Sequence, residues 1–512
     1  MTTYYVGIGG NDASAGTSWD ARKLTLNGAE DIPVAAGDTV YVGPGTYREL
    51  LTVDVSGGNT YSTGTVSVTN GSATVTGSGT TFTGNVAANY IFQSTVLASG
   101  TDGVTTAVTA TSHTFTSAAG NFQAGHIGMT IRINTIGAYI ITACASATSI
   151  TIAKPDNSSF LMTAGTGLTY NVGPESPYNI ASVDSNTQLT LSTVWSGPTL
   201  TGLAYLTWNP IKYIGDYTGA NTDGVGGVVR ITGSDNDQTI TRANCITATS
   251  KNYRSFSGFV TDGCSARVIT LLTACSNWII DKCAVFCSTA NSVPVDFAGT
   301  GTSNTLQNSI VFGGTSTASV RTQHSSTANN AGNLFQKNIV LGGTGAFEFV
   351  RVGGSIVRNC TIIRSTSGII VSTAVSVGQS NTANNCLFYV VGTGCQGTAV
   401  GEITENYNSF SGCGTNRTNT DTGANSNTYI IALDTRWLFQ LVNASNPAQV
   451  ISPFDLASYS ALLNVAGLNP PLTDIRNTAV QGAQREWGAL EYDSGLKIKG
   501  HTARARSAVG IG

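Results

Sequence analysis

Four charged side chains in the second half of the chain, Asp281, Asp296, Arg321 and Arg351, are of types that could carry chemistry. Hydrolysis of a glycosidic bond asks for two carboxyl groups facing each other at about 5–10 Å. Elimination asks instead for carboxylates around Ca2+ and an Arg or Lys that takes a proton. Asp235 and Asp237, in the triplet Asp235-Asn236-Asp237, are of a type that ligates Ca2+, although such a polar triplet more commonly makes a turn. Cys283 and Cys287 lack CxxC spacing and a His pair, and the 4 histidines are scattered, so no metal site is expected. None of these groups can act together unless the backbone stacks them.

A repeat between residues 250 and 415 supplies the stacking. A polar pair is followed by Cys or a small residue and then by apolar residues. Copies are Lys282-Cys283-Ala284-Val285-Phe286, Asn308-Ser309-Ile310-Val311-Phe312, Lys337-Asn338-Ile339-Val340-Leu341, Asn359-Cys360-Thr361-Ile362-Ile363 and Asn385-Cys386-Leu387-Phe388-Tyr389. With Ser257 and Ser409 as outer copies, the anchors are Ser257, Cys283, Ser309, Asn338, Cys360, Cys386 and Ser409. Their spacing of roughly 22–29 residues suits one turn of a parallel β-solenoid, three short strands and their connections. The residue three before the anchor is apolar (Ile280, Leu306, Phe335, Val357), and the residue before it is Lys282, Asn308, Lys337, Asn359, Asn385 or Asn408. Stacked Asn side chains at that bend are expected to bond along their column and satisfy backbone groups. Counted from the anchors, Asp296, Arg321 and Arg351 nearly share a column, which reads as a surface ion pair; no two carboxylates align in adjacent coils. A β-sandwich is the alternative, but its strands recur every 8–12 residues or so without such columns.

Composition agrees with an all-β chain rich in turns. Of 512 residues, 60 are Gly and only 10% are charged, while 41% are hydrophobic. Coiled coils and disordered chains are excluded by that balance. A net charge of −3 argues against a nucleic-acid partner. The amino terminus has no basic and apolar leader, and no apolar run is long enough to span a membrane. The ten cysteines read as free, mostly buried thiols of a protein made in a reducing cytoplasm.

The polar column with apolar neighbours resembles the right-handed parallel β-helix of the pectate-lyase-like superfamily. The segment Ala36-Gly37-Asp38-Thr39-Val40-Tyr41-Val42-Gly43-Pro44-Gly45-Thr46-Tyr47-Arg48-Glu49 is similar to the one that opens the first coils in that family. Val40 and Val42 would form a strand, Gly43-Pro44-Gly45 a sharp turn, and Tyr47 the next inward contact. Such a resemblance implies a fold and leaves activity open.

Between residues 62 and 207 the period disappears. Thr65 to Gly77 reads as a hairpin turning at Asn70-Gly71, and Ile180 to Leu191 as another. Together they resemble the halves of a small β-domain of bacteriophage tail and fibre proteins, and His113 to Ile152 resembles a second such module. The expected organisation is an N-terminal cap and first coils over 1–61, then inserted modules over 62–207. The outer module comprises 62–96 plus 176–207 and encloses an inner one over 97–175. The main β-helix follows over 208–430, C-terminal coils and cap over 431–492, and a basic tail over 493–512. Three domains in series is the rival organisation. Asp455 to Leu463 could be a short helix, and Asp474 to Tyr492, with Trp487 before Gly488, resembles a closing segment of β-helix proteins.

Three function classes are open on this reading. The first is a bacteriophage virion structural protein (fibre, spike or decoration subunit), made in the host cytoplasm without a signal peptide and located in the virion. Its partners would be other virion proteins, copies of itself, as a trimer on the resemblance, and host surface polysaccharide, with no membrane. The second is a tailspike-like polysaccharide depolymerase, in which outward aromatics such as Trp278 or Tyr389 could stack on sugars. The third is a bacterial surface β-helix without a catalytic role.

Overall fold

The computed structural model describes residues 1–428 except 33, 97, 128, 134–136, 154–158, 173–176, 196–198, 236–238, 288–291, 315, 325–328, 375–379, 385, 390, 401, 407 and 421–426. The expectations for Asn385, Asp237, the 455–463 helix, the closing segment and the tail fall outside these residues.

Among the described residues the chain winds as a parallel β-helix of three long sheets, with ten, ten and nine strands. Each coil places one strand in each sheet. The fourth coil illustrates this, with Ile279–Asp281 in the first sheet, Ala284–Phe286 in the second and Val293–Ala298 in the third. The steps between coils within these sheets are parallel, with register shifts only at Phe312/Gly314 and Phe349/Val350 among the described pairings, and in the first sheet Ile280 lies on Leu306, Leu306 on Phe335 and Phe335 on Val357. Those side chains fill the lumen with Val285, Val311, Val340 and Ile362 from the second sheet and Val295, Val320 and Phe347 from the third. Strands this short would be marginal alone. Each is held because its backbone bonds both neighbours and its apolar face meets two other sheets.

The opening coil takes the form its sequence predicts. Thr39–Val42 and Gly45–Tyr47 are strands of the first and second sheets, Val40 and Val42 are buried, and Tyr47 Oη donates to Gly43 O at 2.8 Å inside the turn. Helix Leu26–Glu30 covers this end, capped by the Thr25 side chain, which accepts from Gly28 N.

The sharp corner between the first and second sheets explains the polar residue before each anchor. Lys282, Asn308, Lys337 and Asn359 all adopt left-handed backbone, with φ of 51, 49, 54 and 53°. Asn tolerates that region better than most side chains, and Gly, here Gly258 at φ 81°, does so without steric cost. The expected Asn ladder is therefore corrected: this column is selected by backbone conformation. The hydrogen-bonding ladder lies one residue later. Ser309 Oγ accepts from Cys283 N at 3.1 Å, and Asn338 Oδ1 accepts from Ser309 N at 3.1 Å. Asn408 Oδ1 accepts from Cys386 N at 2.8 Å. Asn408 thus belongs with the anchors, since Ser409 pairs with Leu387. Ser257 leaves the anchor column as well, because it pairs with Asp281, and Phe259 takes its place next to Cys283. A second ladder runs along the corner between the third and first sheets, where Asn304 Oδ1 accepts from Trp278 N, Asn333 Oδ1 from Asn304 N and Asn381 Oδ1 from Ser355 N.

Between Leu51–Val53 and Ile211–Gly215 the chain leaves the solenoid. Strands Thr65–Val68 and Thr74–Ser78 pair antiparallel across Asn70-Gly71 and join Gln188–Leu191, which pairs in turn with Tyr178–Ser185. Strands between Ala98 and Val172 close into a separate six-stranded barrel enclosed in sequence by that sheet. One apolar cluster runs through both units. A smaller contact of Trp208 and Ile91 with Ile279 seats the insertion on the first sheet.

Candidate functional site

Asp296, Arg321 and Glu348 stack in successive coils on the third sheet, opposite one another in register. The flanking residues Val295 and Phe297 point into the lumen, so these three project outward. Arg321 grips Asp296 with Nε to Oδ1 at 3.1 Å and Nη2 to Oδ2 at 2.8 Å. Arg267, from the preceding coil, places Nε 2.7 Å from the same Oδ2. The Asp296 carboxylate is fully buried, while the Arg267 side chain keeps 39% of its exposure and Arg321 17%. Burial works against the Arg321 cation, yet Asp296 and then Glu348 outweigh it, and its pKa lies above the ordinary value.

This geometry limits the chemistry. A carboxylate with both oxygens held by guanidinium N–H groups and no open surface cannot easily present a lone pair or a proton to a substrate. It does hold two guanidinium forks in place, and a guanidinium has further N–H donors to offer in a fixed plane. With Glu348 as acceptor on the other side, the column presents donors and acceptors at the coil spacing of about 4.8 Å.

Arg351 is not in this column, contrary to the sequence count. It follows strand Gly345–Val350, is exposed and adopts left-handed backbone at φ 58°. The count failed because the connection between second and third sheets varies in length. It spans 287–292 in the coil of Asp296 but only 343–344 in the coil of Glu348. Glu348 is the column member the sequence count did not place; its position between the apolar pair Phe347 and Phe349 marks it as outward.

Asp281 stands on a different sheet. It projects from the first sheet in register with Gln307, and its Oδ1 accepts from Asn308 Nδ2 at 2.7 Å. Burial pushes its pKa up, against the pull of Lys282 and the Asn308 hydrogen bond. The column continues upward through Gln336 and Arg358, with Gln336 Nε2 donating to Gln307 Oε1 at 2.8 Å and Arg358 Nη2 donating to Gln336 Oε1 at 2.9 Å. The structure therefore brings Asp296 and Arg321 together and leaves Asp281 apart.

Asp235 is paired with Arg242, Oδ1 to Nη1 at 2.7 Å, and the hydrogen bonds of Arg242 and Thr241 lower its pKa. Among the described residues no group of three His, Cys, Asp or Glu side chains is placed to hold a metal ion. Trp278 does not face outward: it is buried in the lumen, where Tyr213, Phe256 and Trp278 stack at 5.0 and 5.6 Å between ring centres. Tyr389 is half-buried at the end of strand Leu387–Tyr389, beside its register partner Ile363.

No protein-family model matches the chain, and no curated protein matches it. Similar solved structures include a pectate lyase at 13% identity and TM-score 0.41, covering 96% of this chain and 97% of that one. A glycoside hydrolase matches at 9% identity and TM-score 0.34, covering 83% and 90%. The tailspike of an Acinetobacter baumannii bacteriophage, solved with capsular saccharide, matches at 8% identity and TM-score 0.24, covering 79% and 65%. Those figures are too low to transfer an activity, which leaves the function to the chain's own residues.

Proposed function

We propose that the chain is a bacteriophage virion structural protein, a fibre, spike or decoration subunit, that contacts surface glycans through the outer face of its third sheet. The reading is carried by the Asp296–Arg321–Glu348 column with Arg267 beneath it, a rigid row of donors and acceptors whose central carboxylate is engaged by arginine rather than open to substrate. The long solenoid suits a load-bearing rod, since each coil is tied to the next by a continuous ladder. The chain works with other virion proteins and as a homo-oligomer, a trimer on the resemblance stated above.

A second reading, polysaccharide depolymerase, has one spacing in its favour and would require Arg267 and Arg321 to release the Asp296 carboxylate. Asp296 and Glu348 lie two coils apart on one outward column. Two coil spacings come to ~9.6 Å, close to the upper end of the roughly 6.5–9.5 Å separation of inverting glycosidases. Incubating the purified chain with host capsule or lipopolysaccharide separates the readings. Retention on the polysaccharide without new reducing ends or unsaturated uronates is the expected result. Release of such products would replace the structural reading with the depolymerase, and absence of both retention and products would remove the glycan from the account.

A further inference from the structure

Cys245 and Cys264 lie in successive coils at the corner between the second and third sheets. Cys245 immediately precedes strand Ile246–Thr249, and Cys264 follows strand Val260–Asp262. Their Sγ atoms are 2.7 Å apart, closer than two thiols rest in ordinary contact. Both are within 1% of full burial. Both sulfurs also turn to one acceptor, the Asp262 carbonyl oxygen, at 3.0 Å from Cys245 and 3.6 Å from Cys264. The backbone makes room for this approach at Gly233, where a Cβ would come 2.8 Å from Cys264 Sγ. The next cysteine along the corner behaves differently, with Cys287 Sγ directed at the Cys264 carbonyl oxygen at 3.6 Å.

We propose that Cys245 and Cys264 are the site of a disulfide that closes when the chain meets an oxidising thiol buffer. A disulfide needs its sulfurs at about 2.05 Å, so the pair must draw together by well under 1 Å. The reaction runs by thiol–disulfide exchange. One thiolate attacks a low-molecular-weight disulfide such as oxidised glutathione, forming a mixed disulfide and releasing one thiol. The second Sγ then attacks the cysteine sulfur of that mixed disulfide, closing the Cys245–Cys264 bond and releasing the second thiol. The protein loses two protons and two electrons, and the oxidant is reduced by the same two electrons. Burial and the adjacent sulfur raise the Cys245 pKa well above its ordinary value, which slows the first step in the closed fold. Oxidation therefore proceeds when the corner opens locally or while the chain folds. The closed bond relieves the sulfur crowding and staples one coil to the next, independently of any virion role.

The test uses the full chain in two samples, one folded and then incubated with oxidised glutathione, the other refolded from denaturant in that buffer. A non-reducing peptide map should give a Cys245–Cys264 cross-linked peptide in the refolded sample at least, with two fewer titratable thiols than the 10 cysteines of the sequence. Tm should rise by several degrees and fall back on reduction, and Cys245→Ser and Cys264→Ser should each abolish both effects. Absence of that peptide from both samples, or a linkage joining other cysteines, would overturn the proposal.

Discussion

Glu30 and Arg254 are 224 residues apart in sequence and form an ion pair in the interior of the first coils, with both side chains essentially inaccessible to solvent. Tyr213 Oη donates to the same Glu30 oxygen at 2.6 Å, and Asp54 N donates to the other at 3.1 Å. The pair ties the capping helix Leu26–Glu30 to coils that follow the inserted modules. A related pair sits in the last complete coil of the described residues, where Arg417 Nε lies 2.5 Å from Glu405 Oε1 and the guanidinium covers the Phe410 ring at 4.9 Å. Glu405 occupies the lumen column of Leu306, Phe335, Val357 and Ala383, so the lumen turns from apolar to ionic there.

Removing one member of the N-terminal pair leaves an uncompensated buried charge. Glu30→Gln is expected to lower stability by about 3–5 kcal/mol in denaturant unfolding, whereas Glu30→Leu combined with Arg254→Met should recover much of that loss. A single variant as stable as the parent would show that water reaches Arg254.

The two corner columns should respond to substitution in different ways. Asn338 is buried, accepts from Ser309 N and donates from Nδ2 to Leu306 O at 2.8 Å. Asn338→Ala strands those backbone groups and is expected to cost about 2–4 kcal/mol. Asn359, at φ 53°, should accept Gly with little change and lose about 1–2 kcal/mol as Val, by the steric cost of left-handed backbone. Equal losses at the two positions would contradict the division between conformational and hydrogen-bonding columns.

Lys212 links the solenoid to the outer inserted module through Nζ, which donates to Asn89 O at 2.6 Å and Asn179 Oδ1 at 3.3 Å. Burial lowers its pKa to about 8. Between that value and the ordinary lysine pKa of about 10.4 the unfolded chain holds more protons than the folded one, so this group makes stability rise with pH. Relative to Lys212→Gln, the parent should gain stability as pH rises from 8 to 10. A flat difference in unfolding free energy across that range would rule the linkage out.

Asp281 has the opposite sense for a carboxyl. Its folded pKa is raised, chiefly by burial, so its contribution is fully present below the ordinary Asp pKa and is lost as pH climbs through the folded value. Asp281→Asn, which can still accept from Asn308 Nδ2, should gain on the parent across that climb and converge with it in acid. A gap that does not close in acid would contradict this.

Much of the fold was legible because a solenoid repeats its physics. Ile280, Leu306, Phe335 and Val357 each had to be apolar to face the lumen, and the same demand runs through that column from Phe256 to Ala383, before Glu405. Gly258 shows where spacing alone misleads: a left-handed residue precedes the anchor, so the anchor of that coil is Phe259 and not Ser257. The candidate site was legible only in part. Asp296 and Arg321 share a column whose spacing survives counting, but Arg351 entered it in place of Glu348 because connection lengths differ between coils. Glu30 and Arg254 gave no sequence signal at all, since the insertion separates them and no period relates a cap residue to a coil residue.

The most direct test of the account is the binding of Arg321→Ala to the surface polysaccharide that retains the parent, with circular dichroism and Tm as controls for the fold. Losing one guanidinium from the column should weaken binding about tenfold or more, which corresponds to about 1.4 kcal/mol, while the polysaccharide stays uncleaved. An Arg321→Ala chain that folds and binds as tightly as the parent would contradict the assignment of the third sheet as the glycan-contact face.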